Sequence, residues 1–354
     1  MSLPLVLGLL LGSLFAPEEP TLAFVGARLI PISGAEIPSG VLLVQGGKIV
    51  GIGAVGDLQV PGGAEVRDMS GKTIMPGMVC THSHVGQPAG ADRSAPIQPE
   101  VRVLDSINVR HASIQRAQAG GLTCANVMPG SGHLLSGQTV YLKLRDGDTI
   151  DDLIIPDARG RAAGGMKMAN GTNSRRKPPF PGTRGKSAAL VRERFVAAQN
   201  YRDKILRAAG DESKMPDRDL AMEALIEVIS GERVVHFHTH RHDDILTVLR
   251  LSKEFGFQVV LHHVSEGWMV AQEIAAAGVP CSIIVIDSPG GKLEAVNVDF
   301  RTGGVLEEAG VSVSFHTDDY ITDSRLFLRS PALAVRAGMS REVALAAVTL
   351  EAAK

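Results

Sequence analysis

The sequence predicts a (β/α)8 TIM-type barrel over residues 76–354, preceded by a small β domain, and three observations carry that prediction. Runs such as FQVVLHHV, VPCSIIVID and VSVSFHTDD are nearly continuous in apolar residues, as strands buried on both faces of a parallel sheet are. They alternate with helical segments at strand-to-strand steps of about 21 to 32 residues, and the units number about eight, enough to close a barrel. No Gly-x-Gly-x-x-Gly follows an early strand, which counts against an open dinucleotide-binding sheet.

Composition agrees with that class and excludes others. The 354 residues allow about two domains, or one large barrel with an appendage. With 36 Lys and Arg against 38 Asp and Glu, the net charge of −2 offers no clustered basic footprint for nucleic acid. A hydrophobic content of 44% is too high for a disordered chain. Cys80, Cys124 and Cys281 lie far apart without a Cys-x-x-Cys, so neither a disulfide framework nor a thiolate zinc site is indicated.

Taken in order, the first element is the apolar run Leu3–Ala16, which ends in PEEP. It falls short of the about 20 residues that span a bilayer and matches a signal-peptide core, with Ala16 as a small residue for cleavage. Residues 1–20 therefore read as a signal peptide, and the protein as exported to the periplasm or beyond. The absence of Lys or Arg before the run, and Leu14 two positions before Ala16, favour the alternative of a buried helix in a cytoplasmic protein. No other segment has the length of a membrane span. Residues 21–75 read as a small all-β domain of short Val, Ile and Leu runs, with a hairpin at QGGK where Gly supplies the positive φ of the turn.

From residue 76 the texture alternates. TIMPGMVCTHSH predicts a buried strand, VRVLDSINVRHASIQRAQAGG a helix closed by glycine, and LTCANVMPG another strand. The helix from Asp243 places Ile245, Val248 and Leu249 on one face, with acidic residues at its start and Gly256 at its end. The stretch Asp146–Lys186 is irregular. Its basic run Ser174–Lys177 reads as a solvated loop, or alternatively as a mobile loop that meets an anionic substrate group.

Ionisable residues recur at the C-terminal ends of the predicted strands: His82 and His84, His238 and His240, His263, and Asp318. In a parallel barrel those ends share one rim, where active sites form. His82 and His84 are two apart, so both rings point to one side of an extended strand and make half of a divalent-metal site. Each piece alone is weak. Among 11 histidines a His-x-His arises by chance, and an Asp at a strand end ordinarily caps the next helix. Joint placement on four strands of one barrel is what carries the reading.

These residues resemble the amidohydrolase superfamily. PGMVCTHSHVG is similar to its first barrel strand, GGKIVGIG to the β-sandwich strands before the barrel, and VVHFHTHRHDDI, VVLHHVSEG and SFHTDD to its fifth, sixth and eighth strand ends. SRLFLRSPALAVRAGMSREVALAAVTLEAAK resembles its last helices, and the nearest likeness is to the imidazolonepropionase-related branch. The resemblance implies that His82 and His84 hold a more buried metal, that His238 and His263 hold a second, and that Asp318 binds metal and acts as general base. For the fourth-strand position it offers Lys167 in GGMKMANG, carboxylated so as to bridge two ions, with Lys143 in VYLKLRDG as the competitor and a structural lysine as the alternative. Cys80 stands where the family commonly has Asp, and Thr172 where related sequences carry Glu. The chain ends at Lys354 without the family's Gly-Lys-x-Ala-Asp segment, so the β-sandwich is expected to be incomplete at its C-terminal side.

The function implied is metal-assisted hydrolysis of a C–N bond in an amide or cyclic amide. One or two divalent ions, zinc first and iron or manganese after it, make a water reactive. Asp318 takes its proton and passes it to the leaving nitrogen, and His263 and His240 attend the reacting carbonyl. His316 is expected to shape the pocket or orient Asp318, and His242 and His133 to lie on the surface or in loops. The substrate is a small molecule, no nucleic acid or membrane span is involved, and a homo-oligomer is left open. Deaminase or imidodipeptidase activity in the same scaffold, or a non-catalytic metal-binding barrel, are the alternatives.

Overall fold

The computed structural model describes residues 19–87, 92–284, 292–319 and 321–354; the apolar run Leu3–Ala16 lies outside the described residues. The chain divides into two compact units, Met1–Pro76 and Gly77–Lys354. Among the described residues, no helix is long and apolar enough to cross a membrane.

In the first unit, strands β1 (Leu22–Leu29), β2 (Ile37–Gln45), β3 (Lys48–Ala54), β4 (Glu65–Asp68) and β5 (Thr73–Ile74) form one sheet. Its order is β3-β2-β1-β4, with β5 also on β1. The hairpin expected at QGGK joins β2 to β3, and Gly46 and Gly47 take φ of 56° and 70°, the left-handed values such a turn needs. Alternation along β1 and β2 buries Ala23, Val41 and Leu43, which Val25, Leu58, Val60 and Ala64 pack against.

The second unit contains β6 (Met78–Ser83), β7 (Leu122–Val127), β8 (Leu135–Gln138), β9 (Val140–Lys143), β10 (Met166–Ala169), β11 (Val235–Thr239), β12 (Val259–His263), β13 (Cys281–Ile283) and β14 (Val313–Phe315). Strands β10 to β14 are successively parallel, and β6 is parallel to β7. The third strand position departs from the expected βα repeat. Leu135–Lys143 is a single stretch broken at Thr139, and it runs antiparallel both to β10, through β8, and to β7, through β9. Only residues 128–134 separate β7 from β8, whereas a parallel crossover needs about a dozen residues or more, so the chain turns back instead. Among the described residues the barrel therefore has eight strand positions, seven of them parallel. Between β14 and β6 the wall is held by single bonds rather than a ladder: Thr81 Oγ1 donates to Phe315 O at 3.0 Å, and Asp318 N to His82 O at 3.1 Å.

Helices cover the strands. Thr183 caps Arg184–Ala208, Asp219 caps Leu220–Ile229, and His242–Phe255 ends at Gly256, whose φ is 74°. That last helix buries Ile245, Val248, Leu251 and Phe255, with Leu249 only half-buried. Phe195 stacks its ring against Phe255 and Phe257, with centroids 5.1 Å apart in each pair. Two expectations change. The long helix read from Val101 is a short 3-10 turn, Val103–Ser106, followed by a helix confined to Ala112–Ala119, because Ile107 is extended and His111 caps the second piece. The irregular stretch Asp146–Lys186 contains barrel strand β10, and in its basic run Ser174 is buried while the Arg176 guanidinium lies over the Phe180 ring at 4.3 Å.

Candidate metal centre

The C-terminal ends of the parallel strands bring the expected residues together. His82 ends β6 in a bulged stretch, where the pairing with β7 shifts register between Cys80 and Ser83. Its Nε2 lies 3.3 Å from Asp318 Oδ1, and His84 Nε2 lies 3.0 Å from the same oxygen. Asp318 reaches them with φ of 47°, and His263 and Val264 at the end of β12 have φ of 73° and 43°. Such values are costly for residues with a Cβ and persist where the surroundings enforce an aim. His263 Nε2 thereby comes 3.9 Å from Asp318 Oδ2. The rings of His238 and His263 are 4.3 Å apart, and those of His238 and His240 are 4.6 Å apart.

Three interlocking groups result, each with its ligand atoms within 4.8 Å of one another: His82, His84 and Asp318; His82, His263 and His316; and His238, His240 and His263. Lys167 on β10 is fully buried, its Nζ 3.3 Å from His82 Nε2 and 3.1 Å from Met128 Sδ. Lys143 is exposed on β9, so of the two candidate lysines only Lys167 meets the cluster.

Burial sets the protonation states. It holds His82, His238 and His263 far below the ordinary imidazole value, helped by charge on Lys167 and the neighbouring rings. It lowers His240 to about 4 and His316 to about 3. Burial also takes Lys167 from 10.5 down to about 7, against the opposing pull of Asp318. For Asp318, burial pushes upward, but the hydrogen bond with His84 and the electropositive surroundings outweigh it, so the carboxylate is favoured.

A metal ion fits this donor set. His84 Nδ1 sits 2.8 Å from Met128 O, and a carbonyl only accepts, so Nδ1 carries the proton. A neutral ring then turns its Nε2 lone pair onto a carboxylate oxygen 3.0 Å away, and a proton or a cation has to lie between them. Two ligand atoms on a tetrahedral zinc, each at about 2.0–2.1 Å, stand roughly 3.3 Å apart, close to the separations from Asp318 Oδ1 to both rings. His263 Nε2 and His240 Nε2 are buried without a hydrogen-bond partner, which is costly unless something fills the space between them.

His133 lies in a loop, as expected, but is buried there, its ring centroid 5.1 Å from that of Phe180. His242 is half-exposed at a helix start and pairs with Glu266 at 2.7 Å. Cys80 Sγ lies 3.3 Å from Thr317 Oγ1, and burial pushes its thiol up to about 12, so it stays neutral at the position where the family commonly has Asp. Beside Thr172, which stands where related sequences carry Glu, the buried Glu294 supplies a carboxylate, accepting from Thr172 N at 2.6 Å. Sequence reading also missed a buried chain beneath the rim: Tyr141 OH to His236 Nε2 at 3.1 Å, and His236 Nδ1 to His262 Nε2 at 3.0 Å. Alternation with His238 and His240 was the signal available for His236; Tyr141 had none.

No family model matches the chain. Amidohydrolase tasK of Hapsidospora irregularis is 26% identical over an alignment of 325 residues that covers 82% of this chain and 33% of that protein, so the chain spans about a third of the curated relative it matches. The crystal structure of an amidohydrolase from Thermotoga maritima superposes with a TM-score of 0.85 at 29% identity, covering 94% of this chain and 88% of that one. The chain belongs to the amidohydrolase superfamily. Escherichia coli guanine deaminase shares the fold at a TM-score of 0.51 and 16% identity, over 94% and 86% of the two chains. In this amidohydrolase the barrel and its rim of ligand-type side chains are therefore the frame in which the chemistry has to be read.

Proposed function

We propose that this amidohydrolase cleaves a carbon–nitrogen bond other than a peptide bond, in an amide or cyclic amide, with one or two divalent ions held by His82, His84, His238, His263 and Asp318. The observation that carries the reading is the convergence of two imidazoles on one carboxylate oxygen, Asp318 Oδ1, at 3.3 Å and 3.0 Å, the spacing of neighbouring ligands on one small cation. Zinc is the ion that the neutral imidazole and carboxylate donors suit first, with iron and manganese after it. When bound, such an ion lowers the pKa of a water toward neutrality and polarises the scissile carbonyl.

The chain's own residues supply the rest. Asp318, kept ionised by His84, accepts a proton from the attacking water and returns it to the leaving nitrogen. His240 Nδ1 and Ser265 Oγ are 2.7 Å apart; in the tautomer whose Nδ1 accepts from that hydroxyl, Nε2–H is free to donate to the developing oxyanion. With its amine neutral, Lys167 is open to carboxylation, and its carbamate would add oxygen ligands beside His82. The likeness of the quoted segments as a set supports a place near the imidazolonepropionase-related members, and Leu3–Ala16 supports export.

Deamination and imidodipeptide cleavage use the same ligands, so the test is a panel of cyclic amides, nucleobases and proline-ended dipeptides, scored by release of amine or ammonia. Turnover should stop with chelator, return with zinc, and fall by about 10²–10⁴ in Asp318→Asn. Turnover that is indifferent to both treatments contradicts the proposal.

A further inference from the structure

Below the rim the barrel interior carries hydroxyls where such barrels ordinarily carry Val, Ile and Leu. Thr81 precedes His82 on β6, Ser282 lies mid-β13, Ser314 lies on β14, and His316 follows β14. Their polar atoms form an unbroken chain. Thr81 Oγ1 is 3.0 Å from Phe315 O and 2.6 Å from Ser282 Oγ. Ser282 Oγ is 2.7 Å from His316 Nδ1, and His316 Nε2 is 3.3 Å from His263 Nδ1.

The carbonyl at one end fixes the direction of every hydrogen in the chain. Phe315 O can only accept, so it takes the single proton of Thr81. The Thr81 oxygen then accepts from Ser282, and its second lone pair accepts from Ser314 Oγ at 3.3 Å. Ser282, having donated, accepts from Nδ1–H of His316. A neutral imidazole protonated on Nδ1 has a lone pair on Nε2, which accepts from Nδ1–H of His263. His263 is left with a bare Nε2, the atom that faces Asp318 and has no partner.

We infer that Thr81, Ser282 and His316 are positioning residues, a one-way hydrogen-bond chain that holds His263 as its Nδ1–H tautomer with the Nε2 lone pair turned to the metal position. The inference rests on the proposed ligand role of His263, yet the tautomer is a property of the metal-free protein and is measured separately. Reversing any link leaves two donors or two acceptors face to face inside the barrel, which is the cost that enforces the direction. An outer partner of this kind fixes ring orientation and raises ligand basicity.

The test is two-bond ¹H–¹⁵N correlation NMR of histidine-labelled, chelator-stripped protein, with His263→Gln and His316→Gln as assignment controls, together with zinc affinity by competition. Wild type should show both His263 and His316 protonated on Nδ1. Thr81→Val should mix the His263 tautomers and weaken zinc binding by about 10–100-fold, and Thr81→Ser should restore both. Ser282→Ala serves if Thr81→Val does not fold. A His263 protonated on Nε2 in wild type, or tautomers unchanged when the chain is cut, overturns the inference. The expected tautomers with no zinc binding in wild type would instead sink the metal reading and leave the chain intact.

Discussion

Lys167 gives the account its sharpest thermodynamic handle. Its ammonium would be fully buried, with a sulfur and an imidazole as its contacts, so burial lowers its pKa from 10.5 to about 7. The unfolded chain binds the proton at the ordinary value. Between about pH 7 and 10.5 the unfolded state therefore holds one more proton than the folded state, and stability rises with pH across that window. The full gap corresponds to about 5 kcal/mol, and the slope where both conditions hold is about 1.4 kcal/mol per pH unit. Lys167→Met removes the titration while keeping an unbranched side chain of similar length. Urea unfolding of metal-free wild type and variant, in carbonate-free buffer at pH 7.5 and 9.5, lets all other titrations cancel in the difference. The variant should be the more stable at pH 7.5 and should lose roughly 2–3 kcal/mol of that advantage by pH 9.5. An advantage that does not change with pH would mean that folded Lys167 keeps its proton, and an ammonium cannot take up carbon dioxide.

Three further outcomes follow from the same geometry. Reconstitution with zinc should load more metal when bicarbonate is present, and this increment should vanish in Lys167→Met, as read by elemental analysis. Arg184 Nε lies 2.9 Å and 2.8 Å from the two oxygens of buried Asp244, and Nη2 lies 3.7 Å from buried Glu294. Arg184→Met leaves the buried Asp244 carboxylate without its guanidinium partner, while Glu294 keeps Thr172 N, and should cost about 3–5 kcal/mol in urea unfolding. A Cβ on Gly165 would come within 2.4 Å of Val234 O and of the His236 ring, so Gly165→Ala should lower stability by about 1–3 kcal/mol, measured as a drop in melting temperature.

What the sequence discloses depends on how local the signal is. His82 and His84 declare themselves because their spacing and the strand end lie in one short run, and the same is true of His238, His263 and Asp318. Lys167 and Lys143 look alike in sequence, since each sits in an apolar strand; only the packed barrel buries one and exposes the other. The antiparallel third strand is hidden because Leu135–Lys143 has the residues of any strand, and its direction is set by the short link before it. His133 lies in a loop, as the composition of PGSGHLL suggests, but its burial was not legible, because the Phe180 ring it meets comes from far along the chain. Thr81, His236 and His262 sit inside the quoted segments, and Ser282 in a plain apolar run, without any role legible there, because hydroxyls and imidazoles inside a barrel matter through partners that the fold supplies.

The most direct measurement is anomalous diffraction at the zinc edge from crystals grown with zinc. The account predicts a peak about 2.0–2.2 Å from His82, His84 and Asp318, with any second peak beside His238 and His263. Well-ordered side chains at full zinc concentration with no peak at this rim, or a peak bound only by surface groups, would contradict it.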